Sequence, residues 1–144
     1  NKYEYFRPPS KTVISLALLG GIAVVASRII GPSSEASGNI NIPEFTQQAK
    51  LGLLLFDDNC ASCHGKNATG GQSGPPLNRD IYNPGHHGDG SFQRAAKRGV
   101  PRHHWNFGDM PPQPKITESQ MTSIIFYVRE LQMANGTFFR EHKI

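Results

Sequence analysis

Cysteine is nearly missing from this chain: there are two, three positions apart. A disulfide framework is excluded, because a bridge closing so short a loop restrains almost nothing. A four-cysteine zinc site is excluded as well. No strand-length run of alternating apolar and polar residues occurs, and no internal repeat, so the expected fold class is all-α. No block of five or six like charges occurs and the net charge is only +4, so no basic arm or nucleic-acid face is encoded. What the chain has in excess is glycine and proline, 26 residues of 144, which predicts long structured loops between its helices.

One long apolar run is present. Thr12 to Ile30, TVISLALLGGIAVVASRII, holds a single charge, Arg28, near its end. As a helix it measures about 28 Å at ~1.5 Å per residue, against a hydrocarbon core of about 30 Å. It is apolar on every side, unlike a striped core helix, and Arg28 can snorkel to the headgroups. Its rival is a cleaved signal peptide, with Lys2, Arg7 and Lys11 as the positive region and Val24-Val25-Ala26 near a cleavage point. The segment is read as an uncleaved single-pass anchor. The basic residues before it place residues 1–11 in the cytoplasm and everything after Ile30 outside. Ala17 with Gly21, and Ala23 with Ser27, carry either a helix-packing face or ordinary anchor composition.

Residues 31–43 are rich in Gly, Ser, Asn and Pro and read as a flexible linker. Pro43 then suits a first helical turn. A helix is expected over Glu44 to Asp57, with Phe45, Ala49, Gly52, Leu53 and Phe56 on one side. Gly65 to Gly90 is turn chemistry that something must hold in place. Ser91 to Arg98 reads as a short helix capped by Ser91 and ended by Gly99. Thr117 opens the last helix with a capping box to Gln120. An apolar stripe of Met121, Ile124, Ile125, Val128 and Leu131 follows, flanked by Tyr127, and Asn135-Gly136 ends it.

Both cysteines fall in CASCH, with Cys60, Cys63 and His64. A Cys-x-x-Cys-His run reads as a site for covalent c-type haem. Each thiol can add to a porphyrin vinyl group, the spacing lets both sulfurs reach one ring edge, and the adjacent His lies under the iron. Zinc would want a second ligand pair of this kind, and a thioredoxin-type pair would want a βαβ context.

From about Glu44 to Ala134 the chain resembles a class I c-type cytochrome. The resemblance rests on GLLLFDDNCASCHG, on GPPLN after the motif, on GDMPP, and on a last helix with Tyr127. It implies one haem c bound through Cys60 and Cys63, with His64 and Met110 as the metal ligands. It implies that Gly52 lets the first helix cross the last closely, with Ile124, Tyr127 and Leu131 as partners. It further implies that the Pro75 carbonyl accepts the proximal His Nδ1–H, a bond that fixes ring orientation, and that Leu77 packs on the porphyrin. Met110 lies 46 residues after His64, before Pro111 and Pro112, which stiffen its loop. Met121 and Met133 are expected as packing residues. His103 and His104 are the rival ligands. Trp105 either closes the haem crevice, or donates its indole N–H to a propionate, or simply packs.

NPGHHGDG, the pair His103-His104 and the tail NGTFFREHKI depart from the family pattern. His86, His87, His103 and His104, with Arg94, Lys97, Arg98 and Arg102, form either a basic, pH-sensitive docking patch or a solvated face without a role. The Asn67 and Asn135 sequons are read as coincidental in a bacterial setting.

The expected organisation is therefore a cytoplasmic N-terminus (1–11), a transmembrane anchor (12–30), a linker (31–43), a haem domain (44–134) and a tail (135–144). The expected place is the bacterial inner membrane, with the haem domain periplasmic. The expected work is one-electron transfer without catalysis, as a haem subunit of a respiratory or photosynthetic membrane complex or as its tethered shuttle. Redox proteins are the expected partners, and nucleic acid is not. The alternative is a haem sensor or peroxidase-like enzyme in which Met110 leaves the iron.

Overall fold

The computed structural model describes residues 40–141. The expected N-terminal segment, the expected span over 12–30, all but the end of the linker and the last three residues of the tail lie outside the described residues. Among those described, no helix is long and apolar enough to cross a membrane.

The described part is all-α, with helices α1 (Gln47–Asn59), α2 (Ala61–His64), α3 (Asp89–Arg98) and α4 (Glu118–Ala134). Two 3-10 turns, Lys66–Ala68 and Asp80–Tyr82, punctuate the loop between α2 and α3. The described residues include no strand, only an isolated antiparallel bridge between Val100 and Met110.

α1 begins later than its pattern predicts. Thr46 is the N-cap, so Pro43 lies ahead of the helix and not in its first turn, and the Thr46 hydroxyl accepts from the Ala49 N–H. Glu130 of α4 reaches the same point and accepts from the Thr46 N–H at 3.0 Å. A threonine held by a carboxylate from another helix outcompetes proline as the start signal. α3 begins earlier than predicted: Gly88 is its N-cap, and Ser91 lies inside, its hydroxyl donating back to the Gly88 carbonyl. α4 has the predicted capping box, Thr117 with Gln120.

The core forms where α1 crosses α4. Ala49 and Phe56 of α1 are fully buried against Ile124, Tyr127, Val128 and Leu131 of α4. The Phe45 and Phe56 rings meet Tyr127 at centroid distances of 5.2 and 5.3 Å. Gly52 sits at the crossing, where a Cβ would overlap the Ser123 carbonyl and come within 2.9 Å of the Tyr127 Cβ. The close approach was expected. Its partners are Ser123 and Tyr127, whereas Ile124 and Leu131 are not among the atoms that a Cβ would meet first. Met121 is buried as expected, but Met133 is half exposed, so it is not a packing residue.

Both ends of the domain are tied. The Asn41 N–H donates to the Asn135 side chain at 2.8 Å, and the Asn135 amide donates back to the Asn41 carbonyl at 2.8 Å. Residues 40–43, linker by composition, are thus held on the domain. The tail turns back onto the α2–α3 loop. The Thr137 hydroxyl donates to the Asn78 carbonyl at 2.9 Å, and Arg140 pairs with Asp80 at 2.7 Å.

Candidate functional site

α1 ends where the Cys60 N–H meets the Phe56 carbonyl, and α2 adds a single further turn. In that turn the Cys63 and His64 amides both donate to the Cys60 carbonyl, at 3.1 and 2.9 Å, which gathers the three side chains. They line a cavity of about 470 Å³, a size suited to a cofactor, since such sites span about 300–1,000 Å³. Its other walls come from the 73–77 segment, α3, the 99–113 segment and α4, with Phe56, Leu77, Phe92, Ile124 and Val128 as apolar lining. All seven residues singled out from the sequence, Cys60, Cys63, His64, Pro75, Leu77, Trp105 and Met110, meet around this one space.

His64 is oriented by its Nδ1, 2.9 Å from the Pro75 carbonyl oxygen. A carbonyl can only accept, so Nδ1 carries the proton and Nε2 keeps the lone pair. Burial holds the imidazole pKa below its ordinary value, against the opposing effect of the Pro75 bond, which keeps the ring neutral. Burial, with Cys63 beside it, pushes the Cys60 thiol up to about 11. In a loaded protein these sulfurs would be thioethers. The two free thiols at the cavity wall stand in for them.

Met110 is held by its backbone. Val100 and Met110 exchange both hydrogen bonds at 2.9 Å, and the Gln113 N–H donates to the Ala96 carbonyl at 2.7 Å. Gly99 ends α3 at φ 73°, the left-handed region that favours glycine. A Cβ there would also lie only 2.5 Å from the Met110 carbonyl oxygen. The methionine is therefore presented from a closed clasp. The 101–109 loop bulges from it, and Trp105 and Phe107 pack with ring centroids 6.1 Å apart.

The cavity fits a haem on its own evidence. Two thiols and a neutral imidazole stand on one wall and a thioether comes from another. The Trp105 Nε1–H is buried and makes no hydrogen bond of full geometry, the Tyr82 hydroxyl being its neighbour. Such a donor at the edge of an apolar cavity suits a cofactor carboxylate. Burial raises the Tyr82 phenol above its usual range, and Trp105 is close enough to oppose that shift.

Sequence reasoning missed three residues that fix the walls. Asn83 accepts from the Gly85 and His86 amides at 2.9 and 3.2 Å. Arg129 of α4 donates to the Tyr82 and His87 carbonyls at 2.9 and 2.6 Å and pairs with Asp89 at 2.9 Å. Gln132, fully buried, donates to the Leu77 carbonyl at 2.7 Å. No local pattern marks them, because each acts across more of the chain than a helical period covers or, for Asn83, within an irregular turn.

The four departing histidines come together. The ring centroids of His86 and His104 are 5.3 Å apart, and those of His103 and His104 are 4.3 Å apart. His87, His103 and His104 line the cavity, with Arg94 and Arg102. Desolvation lowers the His87 pKa, opposed by its bond to Ile81 and aided by His86, His104 and His103.

The cytochrome c family model matches residues 49–132. The chain is 32% identical over 132 residues to the Cbb3-type cytochrome c oxidase subunit FixP of Rhizobium meliloti (strain 1021), covering 87% of this chain and 45% of that protein. It is 35% identical over 105 residues to the subunit of the same name from Sinorhizobium medicae (strain WSM419), covering 69% and 35%. The chain thus spans less than half the length of these relatives. No solved structure gives a significant match.

Proposed function

This chain belongs to the cytochrome c family, and from that premise we propose that it carries single electrons as the membrane-anchored cytochrome subunit of a respiratory oxidase complex. The observation that carries the reading is the His64 ring, locked by the Pro75 carbonyl in a cavity that both motif cysteines line. Cys60 and Cys63 would hold haem c covalently, and His64 Nε2 and the Met110 sulfur would be the iron's protein ligands. The haem, when bound, supplies the one-electron iron couple.

The chain's own residues do the rest. The Pro75 carbonyl keeps the His64 lone pair aimed and basic. The Val100–Met110 clasp holds a soft thioether without large entropic loss on ligation. A methionine ligand with apolar walls favours a higher potential than two histidines would. With His64 and Met110 both on the iron, no site would be left for a substrate, which would favour a carrier over a catalyst. The similarity to oxidase subunits favours the respiratory setting and the fixed-subunit arrangement over a photosynthetic chain or a tethered shuttle. Residues 12–30 would anchor the domain on the periplasmic side, with residues 1–11 cytoplasmic and the stretch after Ile30 leading to the haem domain.

Met110→Ala tests the ligand set. The ferric protein should lose its methionine-to-iron charge-transfer band while keeping its covalent haem. Persistence of the band would overturn the assignment of Met110, and carbon monoxide binding by the unaltered ferrous protein would instead favour a displaceable ligand. For the assembly, membranes solubilised in mild detergent should show this chain migrating with other oxidase subunits. Isolation as a lone chain would count against the complex.

A further inference from the structure

The histidine cluster has no part in the ligation proposed above. One ring nitrogen from each of His86, His87 and His104 lies within 4.8 Å of the others. The Nε2 atoms of His86 and His104 are 3.3 Å apart. Two nitrogens bound tetrahedrally to one ion at about 2.0–2.1 Å would stand about 3.3 Å apart. In the metal-free protein this separation is bridged by an N–H···N bond, and an ion can take the proton's place.

The ligand set is also oriented from behind. The His87 Nδ1 lies 2.6 Å from the Ile81 carbonyl, which can only accept, so Nδ1 is protonated and Nε2 keeps its lone pair. Metal-binding histidines almost always make such a bond with their other ring nitrogen. The His86 and His87 amides both donate to the Asn83 carbonyl, at 3.1 and 2.8 Å. Arg129 clamps the His87 carbonyl. The backbone under two of the three ligands is therefore fixed before any ion arrives, and His104 comes in from the loop opposite. His103 packs on His104, and its Nδ1 bonds the Pro101 carbonyl at 2.9 Å.

We propose that His86, His87 and His104 form a binding site for one late first-row transition-metal ion, on the rim of the cavity that Cys60, His64 and Met110 line. Three imidazoles without a carboxylate suit copper, zinc or nickel and reject magnesium and calcium. Among these the order of intrinsic affinities favours Cu(II). Three protein ligands leave a fourth position for water or an incoming ligand.

The test uses the full chain, haem-loaded, without a histidine tag, and stripped with chelator. Calorimetry with ZnCl2 should give one ion per chain at micromolar affinity or tighter. CuCl2 should give an electron paramagnetic resonance signal with coupling to three imidazole nitrogens. His86→Ala combined with His104→Ala should weaken binding by more than about 100-fold, since even the loss of an outer partner costs about 10–100-fold. The haem optical spectrum should stay unchanged, which also verifies folding. His104→Gln alone, at an exposed position, should weaken binding in the same direction. Wild-type binding no tighter than millimolar, or equal binding by the double variant, would overturn the proposal. So would a changed axial haem spectrum in His104→Gln, which would put His104 on the iron.

Discussion

At the scale of single residues, the buried hydroxyl of Tyr127 is the sharpest anomaly. The side chain is fully buried in the α1–α4 core and its oxygen has no hydrogen-bond partner. Burial, then the charge of Asp57, pushes its pKa well above the usual tyrosine range. The unfolded chain ionises this phenol above about pH 10 while the folded one does not, so stability is intact below that pH and lost as pH rises through it. Tyr127→Phe should leave stability at pH 7 unchanged or raised by up to about 1 kcal/mol, because it removes an unsatisfied polar atom. It should also flatten the decline between pH 9 and about 11 in denaturant titrations. A variant as steeply alkali-sensitive as the parent would refute this. Residues at this scale were legible only where chemistry is contiguous. Cys60, Cys63 and His64 announce themselves within five positions. Met110 and Pro75 needed the family resemblance, because nothing local separates one loop methionine or proline from another. The His86–His87–His104 grouping was visible as two doublets, but their meeting depends on how two loops fold back.

At the scale of elements, the crossing of α1 over α4 rests on the missing side chain at Gly52. A Cβ there overlaps backbone, the Ser123 carbonyl, which cannot swing aside as a flexible side chain would. Gly52→Ala should cost about 1–3 kcal/mol or more by overpacking, despite alanine's better helix propensity of about 1 kcal/mol. A thermal melt of the haem-loaded variant followed by far-ultraviolet circular dichroism reads this, and a raised midpoint would show that the helices separate freely. Existence and type of the three long helices could be read from period and caps, since Thr117 with Gln120 is a local signal that tertiary contacts leave alone. The starts of α1 and α3 could not. Glu130 supports Thr46 from 84 positions away, and Gly88 takes the cap at α3 because the turn held by Asn83 delivers it there in an extended conformation.

At the scale of the whole molecule, the segment after α4 is part of the architecture. Thr137 is buried against Asn78, and Arg140 pairs with Asp80. Ending the chain after Gly136 should lower stability by about 1–2 kcal/mol, mostly from the buried hydrogen bond, because an exposed ion pair contributes little. Hydrogen exchange should quicken over residues 78–87. Unchanged protection there would show that the tail supports nothing. By the family pattern the haem domain ends at Ala134, and no periodicity marks a tail that holds by scattered contacts. The reciprocal bonds of Asn41 and Asn135 have a wider consequence. Chain enters the α1–α4 core and leaves it at one shared doorway, so a pull on either side meets that pair of amides before it reaches the core. The doorway relieves strain for what precedes it, whereas residues 137–140, fastened to Asn78 and Asp80, carry a change on their side into the loop that walls the cavity.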